Sequence, residues 1–415
     1  MTVSSGALRV NPGFRRYLAA RVVSMTGTLI TAVVLPVLIY RLTGSAAWTA
    51  AVVVAAALPH LFLAPLATSI AARRNRGTLL FAADLTGAAL LASIPLAWWT
   101  AALSPWHVLT VAGVLQAAFV LQAAAHTRVL HGLVGPELAA AGGTALRSAT
   151  GLAELMVPPL AGLAVAIVAP APLLTLDAVS FLASALLVRA AIRSRPGDHP
   201  APERSGCRRV RTGLRFLRNH RPARMLVLAG TLHAAAGAAY LAMLLPWADR
   251  HLGVPPSGDA RLALLISCWG LGVIVGRAVC PALIRRCGPI RLAGKGLFSS
   301  LVCGVAVLMS THWLPAILVG LLWGATHTVA MKAAREALGQ PARPAAQLLW
   351  RGIGPATGAA LAGAFAVWST PRAGLAIGVV LLAVAALAVA PGTLADRAGH
   401  GEVTRDRGDP RVTLP

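Results

Sequence analysis

Twelve apolar runs of about twenty residues each constrain this chain more than any other feature of it. They fall at roughly 18–40, 47–71, 78–100, 106–126, 147–168, 172–192, 224–247, 262–284, 293–310, 313–331, 345–369 and 373–391. A run of that length crosses a hydrocarbon layer of ~30 Å as a helix. No water is present there to satisfy backbone N–H and C=O groups, so a spanning segment must pair them internally. A β-barrel would need alternating segments of about ten residues, and the sequence has none. With 57% hydrophobic and 12% charged residues the chain also lacks the polar coat of a soluble globule, in which about a quarter of residues are charged. The expectation is an all-α membrane protein with about twelve transmembrane helices.

Lys and Arg outnumber Asp and Glu by 37 to 13, a formal net charge of +24. In a soluble protein such an excess suggests nucleic acid. Here the basic residues lie between the apolar runs, without the interleaved aromatics that base stacking requires. Their placement is a topology signal. If the runs are spans 1 to 12 and the N-terminus is cytoplasmic, 28 of the 37 fall in cytoplasmic segments. Four (Arg41, Arg250, Arg261 and Arg372) fall in outer segments, and five fall within spans or at their ends. That asymmetry predicts both termini on the cytoplasmic side of an inner membrane and favours an even number of spans. It also draws the basic segments toward anionic headgroups. No A-x-A cleavage site follows a short apolar core, so span 1 reads as retained. The five cysteines (Cys207, Cys268, Cys280, Cys287 and Cys303) match no metal template and read as packing residues or free thiols.

Residues 193–223 are rich in Arg, Pro and Gly and cannot bury a core, so they read as a basic cytoplasmic linker. Within it, Gly213 to Leu217 is expected to form an interfacial helix. The linker separates a six-helix lobe over 1–192 from a second over 224–391, and 392–415 is expected to be a disordered cytoplasmic tail. The halves echo each other. Span 2 ends PLATSIAARRNRG and span 8 ends PALIRRCGPIR, while span 5 carries VPPLAG and span 11 carries GIGPATGAALAG. Matching breaks in corresponding spans of a six-plus-six chain point to a two-lobed secondary transporter.

These stretches resemble the major facilitator superfamily, and within it the bacterial exporters similar to enterobactin and macrolide efflux carriers. NPGFRRYLAARVVSMTG (11–27), LPVLIYRLTGSA (35–46), ARRNRGTLLFAADL (72–85), PPLAG and LDAVSFLASALL (176–187) carry the likeness, over about residues 11–391. The resemblance implies alternating access around a central cavity lined by spans 1, 2, 4, 5, 7, 8, 10 and 11. The sequence departs from the family in its signature loop between spans 2 and 3. Thr68 and Ala72 stand where Gly and Asp are usual, and Arg73, Arg74 and Arg76 keep the basic part. In the family that Asp helps latch the lobes.

Three carboxylates fall inside the runs: Asp84, Glu154 and Asp177. A charge at the bilayer centre costs ~2.5–3.5 kcal/mol or more, so each needs a partner or a role. Glu154 lies about eight residues into span 5, ~12 Å deep at 1.5 Å per residue. Pro158 and Pro159 follow and remove helical hydrogen bonds, an arrangement suited to a proton or substrate site. Arg147 lies two turns earlier on the same face and is expected to modulate Glu154, with a structural Arg–Glu bridge as the alternative. Asp84 is expected either to serve gating or to pair with Arg21 or a loop arginine. Asp177, with Ser180 beside it, is expected at a structural or gating position. His60, His233 and His327 lie in spans and titrate near neutral pH when unperturbed, though packing is the commoner role of such residues. Arg277 in span 8 and Arg351 at the start of span 11 are candidates for an anionic substrate group, or for snorkelling. Gln116 and Gln122, six apart, are not expected to share a helix face.

No P-loop, H-E-x-x-H or G-x-S-x-G occurs, so neither an enzyme nor a cofactor or metal site is expected. The function that follows is a secondary transporter of a small hydrophobic or amphipathic molecule, acting as a monomer and exporting by proton exchange. An importer of the same fold, or a scaffold that has lost transport, are the alternatives. A reporter fused near residue 200 should be active only on the cytoplasmic side; activity on the outer side would invert or break the twelve-span arrangement.

Overall fold

A computed structural model describes residues 11–73, 76–193, 206–257 and 259–389. Helix α1 (Pro12–Thr43) starts where the Asn11 side chain accepts a hydrogen bond from the Phe14 amide and Pro12 fills the first helical position. Helices α2 (Ala46–Phe62) and α3 (Ala64–Arg73) together make span 2, bent by 43° between them. Pro65 lies at the bend and has no N–H for the carbonyl of Leu61. Spans 3 to 6 are α4 (Arg76–Trp99), α5 (Pro105–Gly135), α6 (Glu137–Ile167) and α7 (Pro170–Arg193). After α8 (Gly206–Asn219), spans 7 to 10 are α9 (Arg221–Leu252), α10 (Ala260–Cys287), α11 (Pro289–Met309) and α12 (Trp313–Ala337). Span 11 is α13 (Arg343–Leu348), a π turn (Leu349–Ile353) and α14 (Gly354–Trp368); span 12 is α15 (Pro371–Ala388).

Ten of these helices are individually long and apolar enough to cross a membrane, and the bent α2–α3 pair makes an eleventh. The twelfth, Arg343–Trp368, is continuous in space but broken at its π turn. There the Gly354 amide bonds to the Leu349 carbonyl five residues back. Pro355 has no N–H to offer the carbonyl of Arg351, so the wider turn is where the chain absorbs that loss.

Three expectations are corrected. A loop over 127–146 was expected between spans 4 and 5; instead α5 and α6 run on to meet at Gly135, whose φ of 77° lets the chain reverse there without a Cβ clash. The paired prolines do not break span 5: α6 has no non-helical residue, and Pro158 and Pro159 sit inside an intact helix. The linker helix is longer than Gly213 to Leu217. It buries Gly213 and Leu217 against α13, while Arg208, Arg211, Arg215 and Arg218 stay exposed. A Cβ on Gly213 would lie 2.8 Å from the Pro341 carbonyl oxygen, which shows how closely α8 is docked.

The helices form two six-helix lobes. In the first, α1 and α4 pack on α7 and on the α5–α6 pair. In the second, α12 packs on α10 and α11, while α9 packs on α14 and α15. The lobes meet along two seams, α6 with α10 and α2 with α14. Burial of apolar side chains gives little net drive between helices in lipid, so close backbone approach at small residues carries the packing. A Cβ on Gly272 of α10 would lie 2.0 Å from the Leu321 carbonyl oxygen of α12. One on Gly358 of α14 would lie 2.0 Å from the Ala235 carbonyl oxygen of α9. All five cysteines are free.

Gly27 of α1 sits where a Cβ would come 2.0 Å from both Asp177 Oδ1 and Ser180 Oγ on α7. Gly27→Ala is therefore expected to destabilise the purified protein by about 1–3 kcal/mol, read as a lower melting temperature. Gly113→Ala, whose Cβ would sit 3.6 Å from the Ala55 carbonyl oxygen, should melt like the parent. Equal melting of both variants would remove the close approach at Gly27 as a constraint.

Candidate functional site

Between the lobes lies a cavity of about 670 Å³ that runs from mid-depth to the face on which α1 begins. Arg21 of α1, His60 of α2, Gln116, Gln122 and His126 of α5, and Arg351 of the π turn are among its polar lining. Helix α8 forms part of the wall through Gly206, Arg209 and Val210. Deeper in, an apolar chamber of about 310 Å³ shares Thr28, Gln116 and Phe119 with it. Val52, Leu241, Leu244 and Ile266 are among the residues that close the chamber. No described lining residue of either space is Asp or Glu.

Arg21 is fixed by its neighbours. Its Nη1 lies 2.7 Å from His126 Nε2, and the Tyr17 hydroxyl lies 2.9 Å from His126 Nδ1. Arg only donates, so Nε2 must accept and the imidazole proton must sit on Nδ1, directed at the Tyr17 oxygen. The Tyr17 hydroxyl then donates to the His126 carbonyl oxygen at 3.2 Å. This chain holds His126 neutral; Arg21 lines the cavity, and its Nε is buried without a hydrogen-bond partner.

The buried acids of the first lobe are met by uncharged donors. Asp84 accepts from Gln122 Nε2 at 2.6 Å and from Ser184 Oγ at 2.8 Å, so its hydrogen-bonding partner is not Arg21. Asp177 accepts from Thr31 Oγ1 at 2.5 Å and from Ser180 Oγ at 2.9 Å. Glu154 also has a partner other than the one its spacing suggested. Arg277 Nη1 of α10 donates to Glu154 Oε2 and forms a salt bridge across the α6–α10 seam, whereas Arg147 donates to Thr144 Oγ1 at 3.0 Å. Glu154 is near the middle of α6, and it lies outside the described linings of both spaces.

Gln116 and Gln122 both line the cavity although their spacing puts them on different faces of α5, because the lining wraps well around that helix. His60 lines it, with Nδ1 buried and without a hydrogen-bond partner. His233 and His327 stack on each other inside the second lobe, ring centroids 4.3 Å apart at 18°, and belong to neither lining. Arg74 lies outside the described residues, as do the side chains of Arg73 and Arg76.

The opposite face is closed. The Tyr40 hydroxyl of α1 donates to Asp249 Oδ2 of α9 at 2.7 Å, linking one lobe to the other. Arg41 Nε donates to the Pro256 carbonyl at 2.7 Å, and its Nη2 donates to the Val165 carbonyl at 2.7 Å. Arg250 Nη2 donates to the Gly44 carbonyl at 3.1 Å, and Arg372 Nε to the Leu308 carbonyl at 3.1 Å. The Arg261 guanidinium beside Asp259 holds that carboxyl below the usual carboxylate range, mainly through their hydrogen bonds. All four arginines assigned to this side by the sequence therefore cap or tie helix ends.

Sequence reasoning missed Tyr40, Asp249 and His126. The seventh apolar run ends at 247, short of Asp249, but α9 continues to Leu252. His126 closed the expected span 4, while α5 extends nine residues past it to Gly135.

The profile of the family of transmembrane secretion effectors matches residues 6–397. No curated protein matches in sequence. Among solved structures, a bacterial homologue of the human lysosomal transporter Spinster, inward-facing and unoccupied, superposes with a TM-score of 0.71 at 14% identity, covering 92% of this chain and 96% of that one. The nucleoside transporter NupG gives 0.71 at 11%, with 90% and 97% covered. The Escherichia coli fucose:proton symporter FucP gives 0.55 at 15%, with 91% and 97% covered. At these identities the likeness is one of fold.

Removing the Tyr40 hydroxyl leaves the Asp249 carboxylate short of a donor, a loss of about 1–3 kcal/mol from the closed face. Tyr40→Phe should therefore speed labelling of a cysteine introduced at Leu245, in the deep chamber, by an impermeant maleimide applied from that face. An unchanged labelling rate would mean that the Tyr40–Asp249 contact does not hold the face shut.

Proposed function

Because the chain belongs to the transmembrane secretion effectors of the major facilitator superfamily, we propose that it is a secondary exporter of a small hydrophobic or amphipathic molecule, driven by proton exchange. The observation that carries this is the cavity between two lobes, reaching one face while the other is clasped shut by Tyr40, Arg41 and Asp249. A two-lobed carrier works by alternating between such a state and its mirror. The arginine asymmetry supports reading the accessible face as the cytoplasmic one, in a bacterial inner membrane, and on that reading the state is inward-facing. The apolar chamber behind the polar vestibule suits a molecule with a hydrophobic part.

Proton coupling is proposed at Glu154. Its bond to Arg277 crosses the α6–α10 seam, so protonating Glu154 removes a charge that ties the lobes together. A change of partner between two conformations is what couples a proton to movement. A structural neighbour is a proton symporter by its title, so the fold accommodates such coupling.

In inverted vesicles with an imposed pH gradient, the parent should accumulate an amphipathic fluorescent compound. Glu154→Gln should lower the gradient-driven component by roughly tenfold or more while leaving passive equilibration in place. Gradient-driven transport at the parental rate would take Glu154 out of the coupling step, and accumulation only in right-side-out vesicles would reverse the direction.

A further inference from the structure

We propose that the cavity's ligand is an amphipathic anion: an acidic head held by Arg351 and Arg209, with Arg21 beside them, and an apolar tail in the deep chamber. This rests on the transport function proposed above and names its substrate class.

The first ground is charge. Arg21, Arg209 and Arg351 all line the cavity, and no described lining residue is acidic. The guanidinium groups of Arg209 and Arg351 make no hydrogen bond or ion pair with any described residue. Among the described residues, Asp84 acts on Arg21 from behind Gln122. Arg351 instead has a second cation, Arg335, within reach. Among the described residues two guanidinium groups are therefore left uncompensated at the mouth of a low-dielectric cleft, where such a field attracts an anion and repels a cation. Guanidinium forks match the two-oxygen edge of a carboxylate or phosphate.

The second ground is shape. The cationic vestibule and the apolar chamber are adjoining spaces joined at Thr28, Gln116 and Phe119. A ligand that is polar throughout would leave the chamber unfilled, and one that is apolar throughout would desolvate the arginines for no return. A head and a tail on one molecule satisfy both. Arg351 comes from the second lobe, Arg21 from the first and Arg209 from α8, so a bound head would touch all three parts of the chain at once.

The test uses the full chain in nanodiscs of neutral phosphatidylcholine. Binding of octyl phosphate, octyl glucoside and octyltrimethylammonium, which share one tail, is followed by tryptophan fluorescence and corrected with empty discs. Octyl phosphate should bind at least tenfold more tightly than octyl glucoside, and octyltrimethylammonium more weakly than either. In Arg209→Gln/Arg351→Gln that anion-to-neutral ratio should fall to within twofold, and Arg209→Lys/Arg351→Lys should restore most of it. Melting temperatures confirm that each variant is folded. Equal binding of the three probes, preference for the cation, or an unchanged ratio in the Gln variant would overturn the proposal. Repeating the titration in discs containing phosphatidylglycerol separates the two sources of such a ligand. Weakened octyl phosphate binding assigns the site to a bilayer lipid head, and undiminished binding to a diffusible organic acid; both retain the acidic amphipath. If the vesicles move neutral amphipaths but binding shows no anion preference, this inference fails while transport stands. If they move nothing, the transport function itself fails.

Discussion

Close approach of helix backbones is the constraint on which this structure depends. A helix in lipid gains little by trading lipid contacts for contacts with another helix, so packing rests on van der Waals fit and on the few polar bonds available. The chain meets this with 40 glycines and long alanine stretches. Gly27 admits Asp177, Gly272 admits the α12 backbone, and Gly358 admits the α9 backbone. The two seams follow the same rule: a Cβ on Gly162 would lie 2.7 Å from Ala263 Cα, and one on Gly363 would lie 2.6 Å from Ala50 Cβ. Seams made of small residues keep side-chain interlocking low, which suits surfaces that must separate and re-form.

Polar groups are sorted just as strictly. The buried acids of the first lobe, Asp84 and Asp177, are satisfied by hydroxyl and amide donors inside the helix bundle. The uncompensated arginines face the cavity instead, where solvent or a ligand reaches them. Between these extremes, Glu154 with Arg277 and Tyr40 with Asp249 join one lobe to the other, at different depths. Each contact breaks when its two helices part, so the cost of lobe movement is concentrated in a few named bonds.

Much of the fold was legible because its signal is physical and repeated. Twelve apolar runs separated by arginines admit few alternatives, and the twelve spans follow them with shifted ends. The misplaced ends have one cause. Apolar composition marks the hydrocarbon zone, whereas helices continue into the headgroup zone, where polar side chains cost nothing. So α5 and α6 ran on through the expected loop at 127–146, and Asp249 proved helical. The site was less legible because spacing along one helix says nothing about its neighbours. Arg147 shares a face with Glu154 by periodicity, yet Arg277, 123 positions away in sequence, takes the carboxylate. The same holds for Asp84, whose donors come from α5 and α7. Proline was misjudged for a related reason. A missing N–H was expected to break span 5, but α6 carries Pro158 and Pro159 without a break, and the distortion appears beside Pro355 in span 11.

Helix α8 rests on α3 of the first lobe and on α13 of the second, beside the cavity mouth. A strap anchored at both ends in this way is a mechanical stop. Widening of the mouth must slide or unseat one anchor, and the closeness of Gly213 to the Pro341 carbonyl leaves little slack at the α13 end. The travel of the two lobes is thus bounded by the seating of a fourteen-residue helix that itself crosses nothing.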